Sequence, residues 1–147
     1  MKKFIILASA AAALATAPAM AAGEGRIEGR GAIGWGGGSE DAFAGVAAGY
    51  DFDLGETVFA GPEVSYDTNF DGADLINVGG RLGIKTGDKG RLYVAGAYEV
   101  NETEELNAAV GYQYSFSDKI YGKVEYRRYF FPGTDLNAAG VGIGVKF

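Results

Sequence analysis

The chain has 147 residues, 13 Lys and Arg against 19 Asp and Glu, and no histidine or cysteine. An acidic balance excludes a phosphate-binding surface for nucleic acid. The missing cysteine excludes a disulfide framework, and the missing histidine excludes Ser-His-acid and Asp-His catalysis.

The first segment reads MKKFIILASAAAALATAPAMAA. Lys2 and Lys3 precede an apolar, helix-prone run from Phe4 to Ala15, and Ala19-Met20-Ala21 fits an A-x-A cleavage site. These are the parts of a secretory signal peptide, expected over residues 1–21 and removed near Ala21 or Ala22. The apolar run falls short of the about 20 residues a membrane-spanning helix needs. Loss of the two lysines takes the net charge from −6 to −8 for the domain expected over 22–147.

From residue 25 onward the pattern alternates with period two, which predicts eight strands with two unlike faces. In chain order, Ile27, Ile33 and Trp35 oppose Arg26, Glu28 and Arg30, and Val46, Ala48, Tyr50 and Phe52 oppose Ala47, Gly49 and Asp51. Val58, Ala60, Val64 and Tyr66 oppose Phe59, Gly61, Glu63 and Ser65, and Ile76, Val78, Leu82 and Ile84 oppose Asn77, Gly79, Arg81 and Lys85. Leu92, Val94, Tyr98 and Val100 then oppose Tyr93, Ala95, Ala97 and Glu99. Leu106, Val110, Tyr112, Tyr114 and Phe116 oppose Asn107, Gly111, Gln113 and Ser115. Ile120, Val124 and Tyr126 oppose Tyr121, Lys123, Glu125 and Arg127, and Val141, Ile143, Val145 and Phe147 oppose Gly140, Gly142, Gly144 and Lys146. Strands of about 9 to 11 residues suit a tilted crossing of a bilayer. Tight turns are expected at 53–56, 87–90 and 117–118, and longer, more acidic loops at 36–41, 67–74, 101–105 and 131–135.

Alternation alone fits a soluble ligand-binding barrel or a membrane barrel of opposite polarity. The polar face carries small residues and charges, which suit the narrow interior of eight strands. The apolar face carries the bulky residues and places aromatics near strand ends: Tyr50, Phe52, Tyr112, Tyr114, Phe116 and Phe147 at one end, Trp35, Tyr66, Tyr98 and Phe130 at the other. Two such girdles are expected at the membrane interfaces. The predicted fold is therefore all-β: a closed eight-stranded antiparallel up-and-down transmembrane barrel in the outer membrane.

The last strand, GVGIGVKF, carries Val141, Ile143, Val145 and Phe147. It resembles the terminal strand of bacterial outer-membrane barrels, which ends on an aromatic and is read by their assembly machinery. GYDFDLG, VFAGPEVSYD and YGKVEYRRY resemble the small opacity-protein and OmpA-type barrel family. The resemblance spans the mature chain and implies a monomeric barrel surrounded by outer-membrane lipid and lipopolysaccharide.

By parity Arg26, Glu28, Arg30, Glu63, Arg81, Glu99, Lys123, Glu125 and Arg127 point inward. Both signs occur at similar depths, so the lumen is expected to be filled by paired charges, with Tyr93 and Tyr121 filling the periplasmic end. The function this implies is a structural or interaction barrel without catalysis or cofactor. A narrow passive pore is the alternative, and an adhesin ranks behind both because the loops are short. Glu102, Glu104 and Glu105 read as a solvated loop. Arg128 falls on the lipid face at the outer rim, either snorkelling without a fixed partner or contacting lipopolysaccharide phosphates. Pro62 falls inside the third strand, where it cannot donate to the ladder. A bulge or a lost hydrogen bond beside Gly61 is expected there.

Overall fold

The computed structural model describes residues 22–102 and 104–147, so the expected signal peptide at 1–21 lies outside the described residues. Eight strands follow one another: β1 Gly23–Gly36, β2 Ser39–Asp53, β3 Val58–Thr68, β4 Asp74–Thr86, β5 Gly90–Glu99, β6 Leu106–Ser115, β7 Ile120–Phe131 and β8 Thr134–Lys146. Each pairs antiparallel with its sequence neighbours, and β8 pairs with β1 to close the barrel. Beyond the strands, Phe147 and Gly25 exchange two backbone hydrogen bonds of 2.8 and 2.9 Å, which extends the seam to the last residue.

Because successive side chains of a strand leave opposite faces, one parity fills the interior and the other the exterior. Ile33, Val94 and Ile143 are 56 to 63 % exposed, while Arg26 and Arg81 on the other parity are 1 and 3 % exposed. A continuous exposed surface of Ile, Val, Leu and Tyr is what lipid solvates, and closure leaves no unpaired strand edge in it. This polarity is the reverse of a soluble ligand-binding barrel.

The connections differ from the expected arrangement of short turns at one end and longer loops at the other. At one end of the barrel, the loop end, β1 and β2 join through Gly37-Gly38 alone, and β7 and β8 through Pro132-Gly133. Gly37 and Gly38 take φ of +59° and +86°, which a two-residue hairpin of the twisted kind requires at both positions. Pro132 fixes its own φ, and Gly133 takes +84°. These glycines let strand pairing run on through residues read as loop, so β1 and β2 reach 14 and 15 residues. The longer loop-end connections are 69–73 and 100–105; the opposite, turn end has 54–57, 87–89 and 116–119.

Pro62 leaves a gap without a bulge. On the β2 side the pairs Gly49↔Glu63 and Phe52↔Ala60 keep one offset, and the two intervening positions are unpaired. On the β4 side Gly61↔Arg81 and Pro62↔Gly80 continue the ladder. The missing N–H therefore costs local pairing on one side only, without an inserted residue. Gly61 makes this possible, since a Cβ there would overlap the Tyr50 carbonyl.

Candidate functional site: the charged lumen

Three of the large inward rings each face a glycine on a neighbouring strand. Tyr93 pairs with Gly111, Tyr121 with Gly144 and Phe59 with Gly83, each across one ladder rung. A Cβ on Gly144 would lie 2.5 Å from Tyr121 Cζ, and one on Gly83 would lie 2.6 Å from Phe59 Cζ. Each ring thus occupies the space that a side chain on the next strand would need. The three rings are 0 to 2 % exposed and fill the turn-end half of the lumen.

Between these rings sit the charges. Asp51 receives Arg81 Nε at 2.9 Å and Arg91 Nη1 at 3.1 Å, with Arg26 Nε 3.6 Å away. Arg81 also donates to Gln113 at 2.9 Å, and its guanidinium lies 4.8 Å from the Tyr93 ring centre and 5.3 Å from that of Phe59. Two aromatic faces and a carboxylate replace the water that this buried cation loses. Arg91 reaches Glu24 at 2.7 Å, and Lys146 lies 3.7 Å from the same carboxylate at the turn-end mouth.

At mid-depth the charges form a closed circuit of alternating sign across β1, β3 and β7. Arg26 donates to Glu63 at 2.6 Å, and Glu63 lies 3.8 Å from Arg127. Arg127 pairs with Glu125 at 2.9 Å, and Lys123 lies 3.3 Å from that carboxylate. Lys123 also pairs with Glu28, which lies 3.8 Å from Arg26 and so closes the ring. Tyr121 and Tyr93 donate hydroxyl protons to Glu28 and Glu125 at 2.6 and 2.7 Å. A buried ion without a partner costs several kcal/mol, by about that order, so the circuit is self-supporting only as a whole.

Toward the loop end the filling changes. Arg30 grips Asp67 through two donors, one at 2.7 Å, and reaches Ser65 at 2.7 Å. Arg127 donates to Asn107, whose amide donates to Asn77 at 2.8 Å. Glu99 accepts backbone N–H bonds from Asn101 and Glu102 at 2.8 and 2.9 Å and from Glu104 at 3.1 Å, so it organises the β5–β6 loop. A cavity of about 40 Å³ lies in this half, lined by Arg30, Asp67, Glu125, Arg127 and the apolar Phe43, Leu75, Tyr129 and Leu136 among others.

All nine inward charges expected from parity lie on the interior face. Eight of them share the ion pairs above, and Glu99, at the end of β5, accepts the loop N–H bonds just described. Asp51, Asp67, Arg91 and Glu24 belong to the same system and were not assigned to it from the sequence. The signal was present: Asp67 continues the Glu63, Ser65 period and Arg91 precedes Tyr93 by two, but both stand beside turn residues. The inward apolar group Phe43, Leu75, Tyr129 and Leu136 also escaped the alternation.

On the exterior, Arg128 lies on the apolar face at the loop end. Its guanidinium pairs with Asp135 on β8 and lies 5.9 Å from the Phe130 ring centre, so it has a fixed partner within the chain. Neighbouring Tyr126 donates to Asn137 at 2.5 Å and its ring lies 6.3 Å from that of Trp35. Among the described residues no group of three or more His, Cys, Asp or Glu is placed to hold a metal ion.

No protein-family model matches the chain, and no curated protein matches it. Solved structures do. The attachment invasion locus protein Ail of Yersinia pestis is 14 % identical, with 85 % of this chain and 99 % of that one covered and a TM-score of 0.62. The N-terminal β-barrel domain of Pseudomonas aeruginosa OprF is 17 % identical, over 85 % of this chain and 99 % of that one, with a TM-score of 0.57. A barrel from the de novo design of transmembrane β-barrels is 22 % identical, over 83 % of this chain and 95 % of that one, with a TM-score of 0.58. The fold is thus the one shared by small outer-membrane barrels.

Proposed function

We propose that the protein is a structural or interaction barrel of a Gram-negative outer membrane, exported with a cleaved signal, monomeric, and plugged by its own side chains. The observation that carries this reading is the closed circuit of alternating charge at mid-depth, backed on the turn side by Tyr93, Tyr121, Phe59 and Gln113. A conducting path requires continuous water, commonly lined by one dominant sign of charge. Here the charges of both signs are consumed by one another. The chain has no histidine or cysteine for catalysis, and Glu102, Glu104 and Glu105 belong to a loop.

Planar-bilayer recording of the refolded protein tests the plug. No single-channel steps are expected. Reproducible steps that shift on charge reversal at Arg81 or Glu125 would overturn the reading and put the narrow pore first. Membrane fractionation with a heat-modifiability gel tests location and closure; a folded, heat-shifted band in the outer-membrane fraction is expected.

The alternating Val141, Ile143, Val145 and Phe147 are assigned to recognition by the assembly machinery. Phe147→Ala keeps the backbone bonds to Gly25, so refolding in detergent should proceed while the amount of folded protein in cells falls. Unchanged cellular levels would remove this role. Lipopolysaccharide contact at Arg128 is the weakest part of the assignment, since a lipid phosphate must compete there with Asp135.

A further inference from the structure

Toward the loop end the inward parity turns apolar on four strands: Phe43 on β2, Leu75 on β4, Tyr129 on β7 and Leu136 on β8. Elsewhere in the lumen the charges plug the barrel by pairing with one another, and an apolar collar adds nothing to that pairing. Between the collar residues lies the cavity of about 40 Å³, roughly three times the space that one water requires. Arg30, Asp67, Lys123, Glu125 and Arg127 form its floor. Lys123 and Arg127 are 5 % exposed and the wall is a closed sheet, so the cavity opens toward the loop end, where Phe43 and Leu136 are half-buried. The floor carboxylates are already occupied. Asp67 accepts from Arg30 on both oxygens, and Glu125 accepts from Arg127 on one oxygen and from Tyr93 and Lys123 on the other. Water in such a space has few partners for its protons, whereas an aliphatic group gives up no hydrogen bond and gains contact with the collar.

The rim around this opening carries one sign of charge. Segments 36–43, 67–76, 99–107 and 129–137 contain no lysine or arginine, and Glu40, Asp41, Asp71, Glu102 and Glu104 are exposed in them. Lys85, Lys89, Arg91, Lys119 and Lys146 all stand at the opposite, turn end. We propose that the loop end docks a polypeptide segment whose single branched aliphatic side chain enters the cavity while flanking lysines or arginines meet the acidic rim. Size selects the branched end of a valine or leucine and excludes an aromatic ring. Charge selects the cationic flanks, because opposite charges across an interface speed encounter and like charges reject the wrong partner. The inference rests on the reading of a plugged interaction barrel and names the chemistry of its partner.

The probes are three acetylated and amidated pentapeptides, Lys-Lys-Leu-Lys-Lys, Lys-Lys-Ser-Lys-Lys and Glu-Glu-Leu-Glu-Glu, titrated into the refolded, isotope-labelled protein in zwitterionic detergent. The basic leucine peptide should shift the amide resonances of Phe43, Leu75 and Leu136 and saturate. It should bind about tenfold or more tightly than the serine peptide, the factor that burying one aliphatic side chain supplies. The acidic peptide should not bind. Ala138→Leu fills the cavity from β8 and should lower the affinity for the leucine peptide to that for the serine peptide. Equal affinities for the two basic peptides would overturn the proposal and leave a contact of charge alone. So would an unchanged leucine-peptide affinity in Ala138→Leu, or the absence of a saturating shift with any peptide. Should Ala138→Leu fail to refold, Ala32→Val fills the same cavity. Bilayer recording reads the plug separately, so a non-conducting barrel that ignores the leucine peptide removes this inference alone.

Discussion

The two halves of the lumen obey one parity rule and are built differently. In the turn-end half, glycines on β4, β6 and β8 admit the rings of Phe59, Tyr93 and Tyr121, and the first two clamp Arg81. In the loop-end half, Arg30 and Asp67 stand beside Phe43, Leu75 and Leu136, and a cavity remains. The difference teaches that an inward charge is not one kind of residue. Where aromatics exclude water, a charge is bound by its neighbours; where space remains, it can still be solvated.

The largest expected effect is therefore in the turn-end glycines. A Cβ on Gly111 would overlap the Tyr93 ring, so Gly111→Val should abolish the folded, heat-modifiable band. Ala32→Val, which extends into the loop-end cavity, should leave that band intact. Equal damage from both would erase the distinction between the halves.

Next come the two aspartates. Asp51→Ala strands Arg81 and Arg91 in a dry site and should destabilise the barrel by about 3 to 5 kcal/mol in urea unfolding, the range for breaking a buried pair. Asp67→Ala should cost less, about 1 to 3 kcal/mol, because Arg30 borders space that water can enter. The reverse ranking would show that the cavity does not hydrate its neighbours.

A smaller effect is expected at the ladder gap. Pro62→Val supplies an N–H, yet the close approach of Gly61 to the Tyr50 carbonyl is unchanged. Stability should move by no more than about 1 kcal/mol, the size of one net hydrogen bond. Amide exchange checks this: slow exchange at residue 62 would mean that proline alone opens the β2–β3 ladder.

The smallest effect belongs to the exterior. Arg128→Ala breaks an exposed pair with Asp135, and the unfolding midpoint in detergent should not change measurably. A clear loss of stability would place Arg128 among the structural charges rather than the rim.

Much of this was legible in the sequence, and the particular residues show why. Arg26, Glu28, Glu63, Arg81, Lys123, Glu125 and Arg127 could be turned inward because a strand's side chains alternate whatever its partners are. Eight strands, closure and an apolar exterior followed from the same period and from the crowding of small residues on one face. The turn positions were less legible: Gly37-Gly38 and Pro132-Gly133 are tight-turn chemistry set among acidic residues that read as loop. Asp51 was on the correct face and still not recognised as the carboxylate shared by three arginines, since nothing local marks it.

Tertiary structure alone decided which charges meet. Glu63 faces Arg26 across two ladders, and Tyr121 bonds Glu28 from 93 residues away. Such encounters depend on the register of every intervening strand and on where β8 closes against β1. Parity fixes the direction of a side chain, but depth and distance across the lumen come from accumulated register, which no single strand contains. For the same physical reason the cavity at Arg30 and the Arg128–Asp135 pair had no signature along the chain: each is a relation between strands.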